Sequence, residues 1–374
     1  MTGQDFELQP DTCSNTCHAA FLLPNLGLGG AERVVLDLAR GFVARGAQVD
    51  LVLMEQSGEF LAQVPEGVRV VSLDAPRLRS AVLPLRAYLK EARPQALVAA
   101  MWPLTTVAIL AAAGLKARPR TVVVDHAPLL AQYSPSAFQT LLLKMSVLAS
   151  YRFADRIVTV CNGLGDEIAL LASVPRDRVE TVYNPIPKPA AQTPAPALWP
   201  ARPKKRIVSA GRLKPIKNYP LLVEAFAPLA REVEGAVLAI LGEGSNRAEI
   251  TDTAKRLGVA NEVMLPGFTA TPGDWLEGAD LFVSASQYEG FGNVLVEAMH
   301  FGCSVVSSDC PYGPREVLGD GSWGTLVPTG DVAALTAAMR AALASPADPT
   351  KQTARADDFS LDRAVDAYWR VLFG

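Results

Sequence analysis

The amino-acid sequence predicts an α/β protein made of two doubly wound, Rossmann-like domains that face each other across a cleft. Three observations lead to this prediction. Short apolar runs alternate with helical patterns along most of the chain, which is typical of parallel sheets covered by helices on both faces. A chain of 374 residues is longer than a domain with a single ordinary hydrophobic core, and its length suits two domains of about 150–200 residues each. A proline-rich stretch, residues 184–203, separates two such series.

In the first series, an amphipathic helix is predicted from Gly29 to Arg45, because Val34, Val35, Leu38 and Phe42 recur at helical spacing. The predicted strands are Ala19–Leu23, Val49–Met54, Val68–Leu73, Ala96–Ala100, Thr121–Asp125, Ile157–Val160 and Val179–Tyr183.

One apolar segment of this series, Gln95 to Leu115, carries no charge and is long enough to span a bilayer. Pro103 interrupts it, however, and a proline suits the first turn of a helix. We therefore expect a strand followed by a helix rather than a transmembrane segment.

The second series contains the predicted strands Ile207–Ala210, Val237–Leu241, Val263–Leu265, Leu281–Ser284 and Ser304–Val306. A helix is predicted near the end of the chain, from Leu361 to Leu372. The expected organisation is a disordered tail (1–18, including His18), a first domain (19–184), a proline-rich linker (185–203), a second domain (204–357) and a C-terminal helical segment (358–374) that packs back on the first domain.

Charge and cysteine content narrow the class of protein. The 35 basic and 38 acidic residues nearly balance, so the chain has no large net positive charge that would attract nucleic acid. Five scattered cysteines form neither a disulfide framework nor a zinc-ligand pattern, and the acidic, polar N-terminus lacks the features of a secretory signal. These observations predict a reduced, cytoplasmic protein.

Positive charge is concentrated in one segment. From Arg69 to Arg120, nine basic side chains are opposed only by Asp74 and Glu91. A local basic surface suits anionic lipid headgroups or a partner that carries a pyrophosphate. The alternative is a solvated face whose counter-charges come from elsewhere in the fold.

Ligands of doubly wound sheets bind at the carboxyl ends of the strands, and several polar or glycine-rich turns follow predicted strands. After the first strand, Gly29 and Gly30 precede a helix, without the spacing of a dinucleotide site or a P-loop. After the fifth strand, His126 is placed to hydrogen-bond a substrate hydroxyl.

In the second domain, Arg212 and Lys217 follow Gly211 and the end of a strand. A guanidinium fork and an ammonium point charge together suit a diphosphate, although ordinary surface charge is the alternative. Turns at Gly242 and at Gly267-Phe268 end two further strands on the same edge.

The stretch from Gln287 to Met299 follows another strand and enters a helix. Gly290 and Gly292 free its backbone amides for a ligand, and Glu289 can project into the cleft. Glu297 lies about one and a half turns along the helix, where it either binds a polar ligand group or faces solvent.

Taken together, these residues resemble retaining glycosyltransferases of family 4, which have the two-domain B-type glycosyltransferase fold. The resemblance covers nearly the whole chain after residue 18. It rests on the segments Gly29-Gly30-Ala31-Glu32, Cys161-Asn162-Gly163, Asn184-Pro185, Gly211-Arg212-Leu213, Lys217-Asn218, Gly242-Glu243-Gly244, Pro266-Gly267-Phe268, and Glu289 and Glu297 around Gly290-Phe291-Gly292.

The resemblance implies a role for each site residue. Arg212 and Lys217 should hold the donor diphosphate, with Gly30 beside it from the first, acceptor-binding domain. Glu297 should bind the donor ribose, and His126 should lie beside the transferred sugar. The donor sugar should also contact Glu289 and the backbone amides of Phe291, Gly292, Asn293 and Val294. The family typically needs no metal or other cofactor, and transfer proceeds on the front face with retention.

A finer resemblance lies at Asp309–Glu316. This stretch looks like bacterial transferases of surface glycans and lipid-linked oligosaccharides, including N-acetylgalactosaminyltransferases that use UDP-sugars. It implies a UDP-sugar donor and an undecaprenyl-pyrophosphate-linked or other glycan acceptor. The basic segment and the apolar helix predicted over Phe138–Tyr151 agree with a peripheral position on the inner face of the plasma membrane, although that helix also suits a core.

Two alternatives share the fold and the nucleotide-sugar ligand. One is a UDP-sugar 2-epimerase, which uses a different set of histidines and carboxylates and lacks the arginine–lysine pair. The other is a non-catalytic subunit that binds nucleotide sugars.

Overall fold

Two parallel β-sheets form the two halves of the molecule, which confirms the predicted fold class. The computed structural model describes residues 17–133, 136–193, 198–200 and 204–374. Within these ranges the first sheet has seven strands and the second has six.

The first sheet is built from β1 (His18–Leu23), β2 (Gln48–Leu53), β3 (Val68–Ser72), β4 (Ala96–Ala100), β5 (Arg120–Asp125), β6 (Arg156–Thr159) and β7 (Val179–Thr181). The helices of this half are α1 (Gly30–Ala44), α2 (Val82–Ala92), α3 (Leu104–Ala112), α4 (Leu129–Tyr133), α5 (Ala137–Ser150) and α6 (Asn162–Ala172).

The second sheet is built from β8 (Lys205–Ala210), β9 (Ala236–Leu241), β10 (Val263–Gly267), β11 (Leu281–Ser284), β12 (Ser304–Ser308) and β13 (Thr325–Val327). The helices that follow β8 are α7 (Tyr219–Glu232), α8 (Arg247–Arg256), α9 (Gly273–Leu276), α10 (Asn293–Met299), α11 (Pro314–Val317), α12 (Val332–Ala344), α13 (Pro349–Ala356) and α14 (Leu361–Phe373).

Strand order fixes where a ligand can bind. The first sheet runs β3-β2-β1-β4-β5-β6-β7 and the second runs β10-β9-β8-β11-β12-β13. The direction of winding therefore reverses between β1 and β4 in one sheet and between β8 and β11 in the other. A crevice opens outside the carboxyl ends of the strands at such a reversal.

Burial explains why the apolar runs form strands. Every residue of β1 and β9 is buried, because helices cover both faces of each sheet. Phe21 of β1 pairs in register with Leu51 of β2 and with Val98 of β4, so three apolar side chains share one face. The strand β13 was not predicted, because its three residues give too short a pattern and Thr325 is exposed.

The prediction that His18 belongs to a disordered tail was wrong. His18 is the first residue of β1 and is buried, with Nε2 at 2.9 Å from Asp50 Oδ2. Asp50 also accepts hydrogen bonds from Arg69 and from the hydroxyl of Tyr88. The carboxylate thus provides a hydrogen-bond partner for the buried polar atoms of His18 and Tyr88. The preceding part of the predicted tail, residues 1–16, lies outside the described residues.

The segment from Gln95 to Leu115 forms β4 and α3, as predicted from the position of Pro103. Along the parts of the chain that the structure describes, no helix combines the length and apolar character needed to cross a bilayer.

Two connections join the halves of the molecule. The first follows β7 and includes the proline-rich segment, of which residues 194–197 and 201–203 lie outside the described parts. The second leads from α13 into α14, which packs on α1 with the rings of Phe42 and Trp369 stacked at 5.4 Å. The two connections touch where Ile186 N donates to Phe359 O over 2.9 Å.

Candidate functional site

The loops at the carboxyl ends of both sheets meet along one cleft. Arg212 of the second half reaches Leu28 of the first, and Gly290 lies against His126. Asn184 donates to Asn293 over 2.9 Å at the same boundary. The fold therefore brings the strand-end residues of the two domains to a common surface.

Lys217 and Glu289 form an ion pair inside this cleft. Lys217 ends a short 3₁₀ helix after β8, and its Nζ lies 2.6 Å from Glu289 Oε1. The two side chains are only 18% and 11% exposed, and Ser286 Oγ donates to the same carboxylate oxygen over 2.6 Å. An ammonium with so little access to water needs an anionic partner, and a diphosphate can share or take over that position.

Arg212 extends from the loop after β8 toward the first domain. Its Nε donates to the carbonyl oxygen of Leu28 over 2.9 Å, and Nη2 donates to the same atom. Leu28 belongs to the turn that contains Gly29 and Gly30, so the positive charge lies beside these glycines. A guanidinium has five N–H donors, and the contact with Leu28 leaves donors for an oxyanion.

The turn before α10 packs directly against the first domain. A Cβ on Gly290 would lie 1.8 Å from the carbonyl oxygen of His126, so a larger residue would push the domains apart. Gly292 has φ of 91°, in the left-handed region, and the helix starts at the next residue. These two glycines thus determine how close the turn lies to the first domain.

The side chains within this turn have separate roles. Phe291 is buried, with its ring centroid 5.5 Å from Tyr183 and 5.4 Å from Phe359, so its side chain packs the interface. Asn293 Nδ2 lies 3.8 Å from the position of a Cβ on Gly30, and Val294 is half-buried. Contact of the backbone amides of residues 291–294 with a donor sugar stays a prediction.

His126 lies at the carboxyl end of β5 and is half-buried. Burial lowers its pKa to about 4, and the neighbouring Asn184 side chain offsets this only in part. The ring is therefore neutral at physiological pH. Within the described residues, His126 Nδ1 and Asn184 Oδ1 are buried atoms that lack a hydrogen-bond partner.

Asp125, beneath His126, is fully buried. Its Oδ1 accepts from the hydroxyl of Tyr151 over 3.2 Å, and Tyr151 is also within 2.9 Å of Thr105 Oγ1. Burial raises the pKa of Asp125 to about 7, and the contact with Tyr151 opposes the rise. This carboxyl group is thus partly protonated near neutral pH.

Glu297 is half-buried on α10. Burial raises its pKa, Arg33 of α1 works against the rise, and Asp37 adds to it. Across the cleft, burial likewise raises the pKa of Glu32, which Arg212 counteracts. The role of Glu297 in binding a ribose stays a prediction.

The remaining predicted residues line the far end of the same edge. Gly242 N donates to Gly267 O over 2.8 Å, and Gly211 N donates to Leu241 O over 3.0 Å, so the three turns lie side by side. Phe268 follows them and is 57% exposed. The exposed ring therefore lies at the rim.

Two residues near the cleft, Trp102 and Glu316, were not assigned a role from the sequence. Trp102 lies two residues after the end of β4, so the strand-end criterion applies to it. Glu316, at the start of α11, accepts from the backbone N of Asn162 over 2.9 Å and of Gly163 over 3.0 Å. No sequence pattern links residues so far apart in the chain.

In residues 17–133, 136–193, 198–200 and 204–374, no group of three or more His, Cys, Asp or Glu side chains converges as a metal site. The positive charges of the cleft come from Arg212 and Lys217.

Two doubly wound domains that meet at their carboxyl edges, with cations and glycine turns between them, define the B-type class of glycosyltransferase. Comparison with known proteins agrees. The family model of glycosyl transferases group 1 matches residues 198–358, and that of Glycosyltransferase Family 4 matches residues 28–188. The chain belongs to family 4 of the glycosyltransferases.

Several relatives carry specific names. A Campylobacter jejuni protein named N-acetylgalactosamine-N,N'-diacetylbacillosaminyl-diphospho-undecaprenol 4-alpha-N-acetylgalactosaminyltransferase is 30% identical over 314 residues, which are 81% of this chain and 84% of that protein. The Rhizobium meliloti lipopolysaccharide core biosynthesis glycosyltransferase LpsE is 29% identical over 230 residues, or 60% of this chain and 66% of the relative.

Solved structures show the same fold. Anabaena Alr3699/HepE in complex with UDP-glucose matches with a TM-score of 0.79 at 21% identity, covering 95% of this chain and 98% of that one. The protein is thus a glycosyltransferase of B-type fold.

Proposed function

We propose that this glycosyltransferase moves a hexose or an N-acetylhexosamine from a UDP-sugar to a polyprenyl-pyrophosphate-linked or other glycan acceptor in bacterial glycan assembly, with retention of configuration. The observation that carries the proposal is the position of Lys217 and Arg212, which converge on the cleft at the reversal point of the second sheet. The structure of the Anabaena protein with UDP-glucose supports a UDP donor, and the name of the Campylobacter relative supports a diphospho-undecaprenol-linked acceptor.

The two cations act on the leaving group. As the bond between the sugar C1 and the β-phosphate oxygen breaks, negative charge grows on that oxygen, and Lys217 and Arg212 stabilise it. The acceptor hydroxyl attacks the face that the diphosphate leaves, and its proton passes to the same phosphate oxygen. The new bond therefore has the configuration of the old one.

The other residues position the reactants. Glu289, already oriented by Lys217 and Ser286, accepts a hydrogen bond from a donor-sugar hydroxyl. Neutral His126 donates or accepts at the sugar without adding charge. Glu297 accepts from the ribose diol, which compensates its burial. In this mechanism Arg212 and Lys217 take the place of a metal, so transfer should persist in a chelator.

We further propose that the first domain contacts the membrane surface peripherally. Four apolar side chains of α5 are 53–74% exposed, namely Phe138, Leu141, Leu142 and Met145. Their spacing places them on one face of the helix, opposite the buried Leu143 and Val147. We call these four residues the apolar face of α5. A lipid surface is an environment that compensates such exposure.

Exposed basic residues also lie on the surface of the first domain. Arg69 and Arg118 pair with Asp50 and Asp155, carboxylates from outside the basic segment, so part of its charge is neutralised. Arg77, Arg79, Lys90 and Lys116 are exposed and can contact anionic headgroups.

The proposal is tested by incubating the purified protein with a panel of UDP- and GDP-sugars and a short-chain prenyl-diphosphate-linked N-acetylgalactosamine. The expected product carries one or more added sugars, and NMR of the new linkage should show the anomeric configuration of the donor. The reaction should proceed equally in EDTA.

Other results would contradict the proposal. Free epimerised sugar formed without acceptor would favour a UDP-sugar 2-epimerase. Binding of UDP without transfer to any lipid-linked acceptor would favour a non-catalytic subunit. A product of inverted configuration would refute the front-face mechanism.

A further inference from the structure

A cavity of about 330 Å³ opens beside the cleft in the first domain. It is lined by Trp102, Gln132, Tyr133, Gln139 and Leu142. This volume lies at the lower end of the range of about 300–1,000 Å³ that is usual for small-molecule sites. Among the described residues, no charged side chain lines the cavity, so its chemistry differs from that of the cationic donor site.

The cavity lies next to the predicted site of transfer. Trp102 lies two residues after the end of β4, one of the two strands between which the first sheet reverses its winding. Tyr133 ends α4, the helix that follows His126. Burial raises the pKa of Tyr133 to about 12, and the charges of Asp125 and Glu32 add to the rise.

Contact with the second domain supports this location. The hydroxyl of Tyr288, the residue before Glu289, donates to the carbonyl oxygen of Ala131 in α4 over 3.4 Å. The helix that carries Gln132 and Tyr133 therefore touches the turn that is predicted to hold the donor sugar. The cavity and that turn therefore share contact with the same helix, α4.

The lining is suited to a carbohydrate. The rings of Trp102 and Tyr133 have centroids 5.2 Å apart with planes at 60°, which forms an aromatic corner. Trp102 Nε1 donates to Ser146 Oγ over 2.9 Å, and Ser146 Oγ donates to Leu143 O over 2.8 Å, so the indole is held in place before a ligand arrives.

The polar atoms add directional recognition. The amides of Gln132 and Gln139 each provide donors and an acceptor, which match the hydroxyl and acetamido groups of a sugar. Gln132 Nε2 already donates to the Tyr133 hydroxyl over 3.1 Å. Aromatic surface with a few directed amides is the usual composition of a pocket for a neutral, partly apolar ligand.

We propose that this cavity binds the terminal sugar of the acceptor glycan, with Trp102 as the surface on which the ring stacks. The inference rests on the proposed glycosyltransferase function and specifies its acceptor. Leu142 belongs both to the cavity and to the apolar face of α5. The sugar site and the lipid-contacting face are thus continuous, which favours a short saccharide on a lipid carrier over a long free polysaccharide.

The first test measures transfer kinetics with the short-chain prenyl-diphosphate-linked N-acetylgalactosamine. Trp102→Ala should raise the acceptor KM by about tenfold, the size of effect that follows when a stacking contact is lost. The donor KM and the slow hydrolysis of UDP-sugar without acceptor should stay at wild-type values. Trp102→Phe, which keeps an aromatic ring, should have a smaller effect.

Two further variants separate binding from folding. Gln139→Ala removes an exposed side chain and should raise the acceptor KM without changing the melting temperature. Phe153→Ala is the matched control, because Phe153 is an aromatic residue of the same domain, 61% exposed and outside the cavity lining. Its acceptor KM should equal that of the wild type.

The second test does not depend on catalysis. Saturation-transfer NMR with methyl α-N-acetylgalactosaminide should show contact with the wild-type protein and loss of contact with Trp102→Ala. Unchanged acceptor KM in both Trp102→Ala and Gln139→Ala would overturn the inference while leaving the transferase proposal intact. A wild-type protein that transfers nothing would refute the proposed function, and the NMR result would still decide whether the cavity binds a sugar.

Discussion

The ammonium of Lys217 is the most constrained positive charge of the cleft, since it is largely buried and paired with Glu289. Replacing Lys217 by Ala should weaken UDP binding by roughly 10- to 100-fold, because a charge-assisted hydrogen bond is worth about 1.5–3 kcal/mol. It should also lower kcat/KM by a factor on the order of 10²–10³. Isothermal titration with UDP and steady-state kinetics measure the two effects.

Lys214→Ala provides the matched control for this substitution. Lys214 is an exposed lysine of the same loop and lies three residues earlier. It should retain wild-type UDP affinity. Full activity of the Lys217→Ala protein would refute the assignment of Lys217 to the diphosphate.

Asp125 should make stability depend on pH. Its pKa is 3.8 for the free group and about 7 in the folded protein, so the folded state binds the proton more tightly. The stabilisation that the protonated form provides is complete below about pH 3.8 and is lost as the pH rises through about 7. Over that window the cost is at most about 1.4 kcal/mol per pH unit.

Asp125→Asn removes this titration and keeps an acceptor for the Tyr151 hydroxyl. The free energy of unfolding of the wild type, relative to that of the variant, should therefore fall between pH 4 and pH 7. Urea unfolding at half-unit pH intervals measures it. Parallel pH profiles of the two proteins would show that Asp125 does not titrate in this range.

At the same scale, the sequence predicted where some residues lie but not which groups they contact. Arg212, Lys217, His126 and Glu289 were placed at the cleft because each follows a strand, and parallel topology brings strand ends together. Their partners were not predictable. Whether Arg212 reaches the carbonyl oxygen of Leu28 depends on the distance between the two domains. Sequence spacing within either domain does not encode that distance.

Among the elements, α6 depends on a residue of the other domain. Cys161 precedes this helix without a side-chain cap, and Glu316 accepts from the backbone N of both Asn162 and Gly163. A carboxylate at a helix N-terminus satisfies free N–H groups and interacts favourably with the helix dipole. The contact thus joins two domains through the end of one helix.

Glu316→Ala should remove this contact and weaken the association of the two domains by about 1–2 kcal/mol. Small-angle X-ray scattering should show a larger radius of gyration, and the midpoint of urea unfolding should fall. Glu277→Ala, at an exposed glutamate of the same domain, should change neither quantity. An unchanged radius of gyration in Glu316→Ala would mean that other contacts hold the domains together.

Elements with a strong apolar pattern were located well. The strands Ala96–Ala100 and Leu281–Ser284 have the predicted bounds, because every residue in them is buried and the apolar pattern is uninterrupted. β13 was missed since so short an edge strand is stabilised by pairing with β12 rather than by its own composition. His18 was misassigned because its burial depends on Asp50, which lies on another strand.

At the scale of the whole molecule, the apolar face of α5 should determine membrane association. Leu141→Ser combined with Met145→Ser should reduce cosedimentation with liposomes that contain anionic lipid, because two exposed apolar side chains no longer enter the interface. Leu142 is left intact since it also lines the cavity. The variant should keep its activity on a short, soluble acceptor.

Leu170→Ser is the control for this surface. Leu170 is 83% exposed but lies on α6, outside the apolar face of α5. Neutralising Arg77 and Arg79 should weaken binding further at low salt and less at high salt, as expected for screened charges. Liposome binding that is unaffected by the α5 substitutions would exclude this face as the membrane contact.

The return of the chain to the first domain has a mechanical consequence. Two covalent connections cross between the domains, and they touch at Ile186 and Phe359, where the ring of Phe359 also contacts Tyr183 at 5.4 Å. A single connection would let one domain rotate about the connecting segment. Two connections side by side prevent that rotation and leave only rotation about the line that joins them. The domains should therefore separate by a hinge rotation about that axis. The side of the cleft far from Ile186 would widen, while the residues beside Ile186 would keep their spacing.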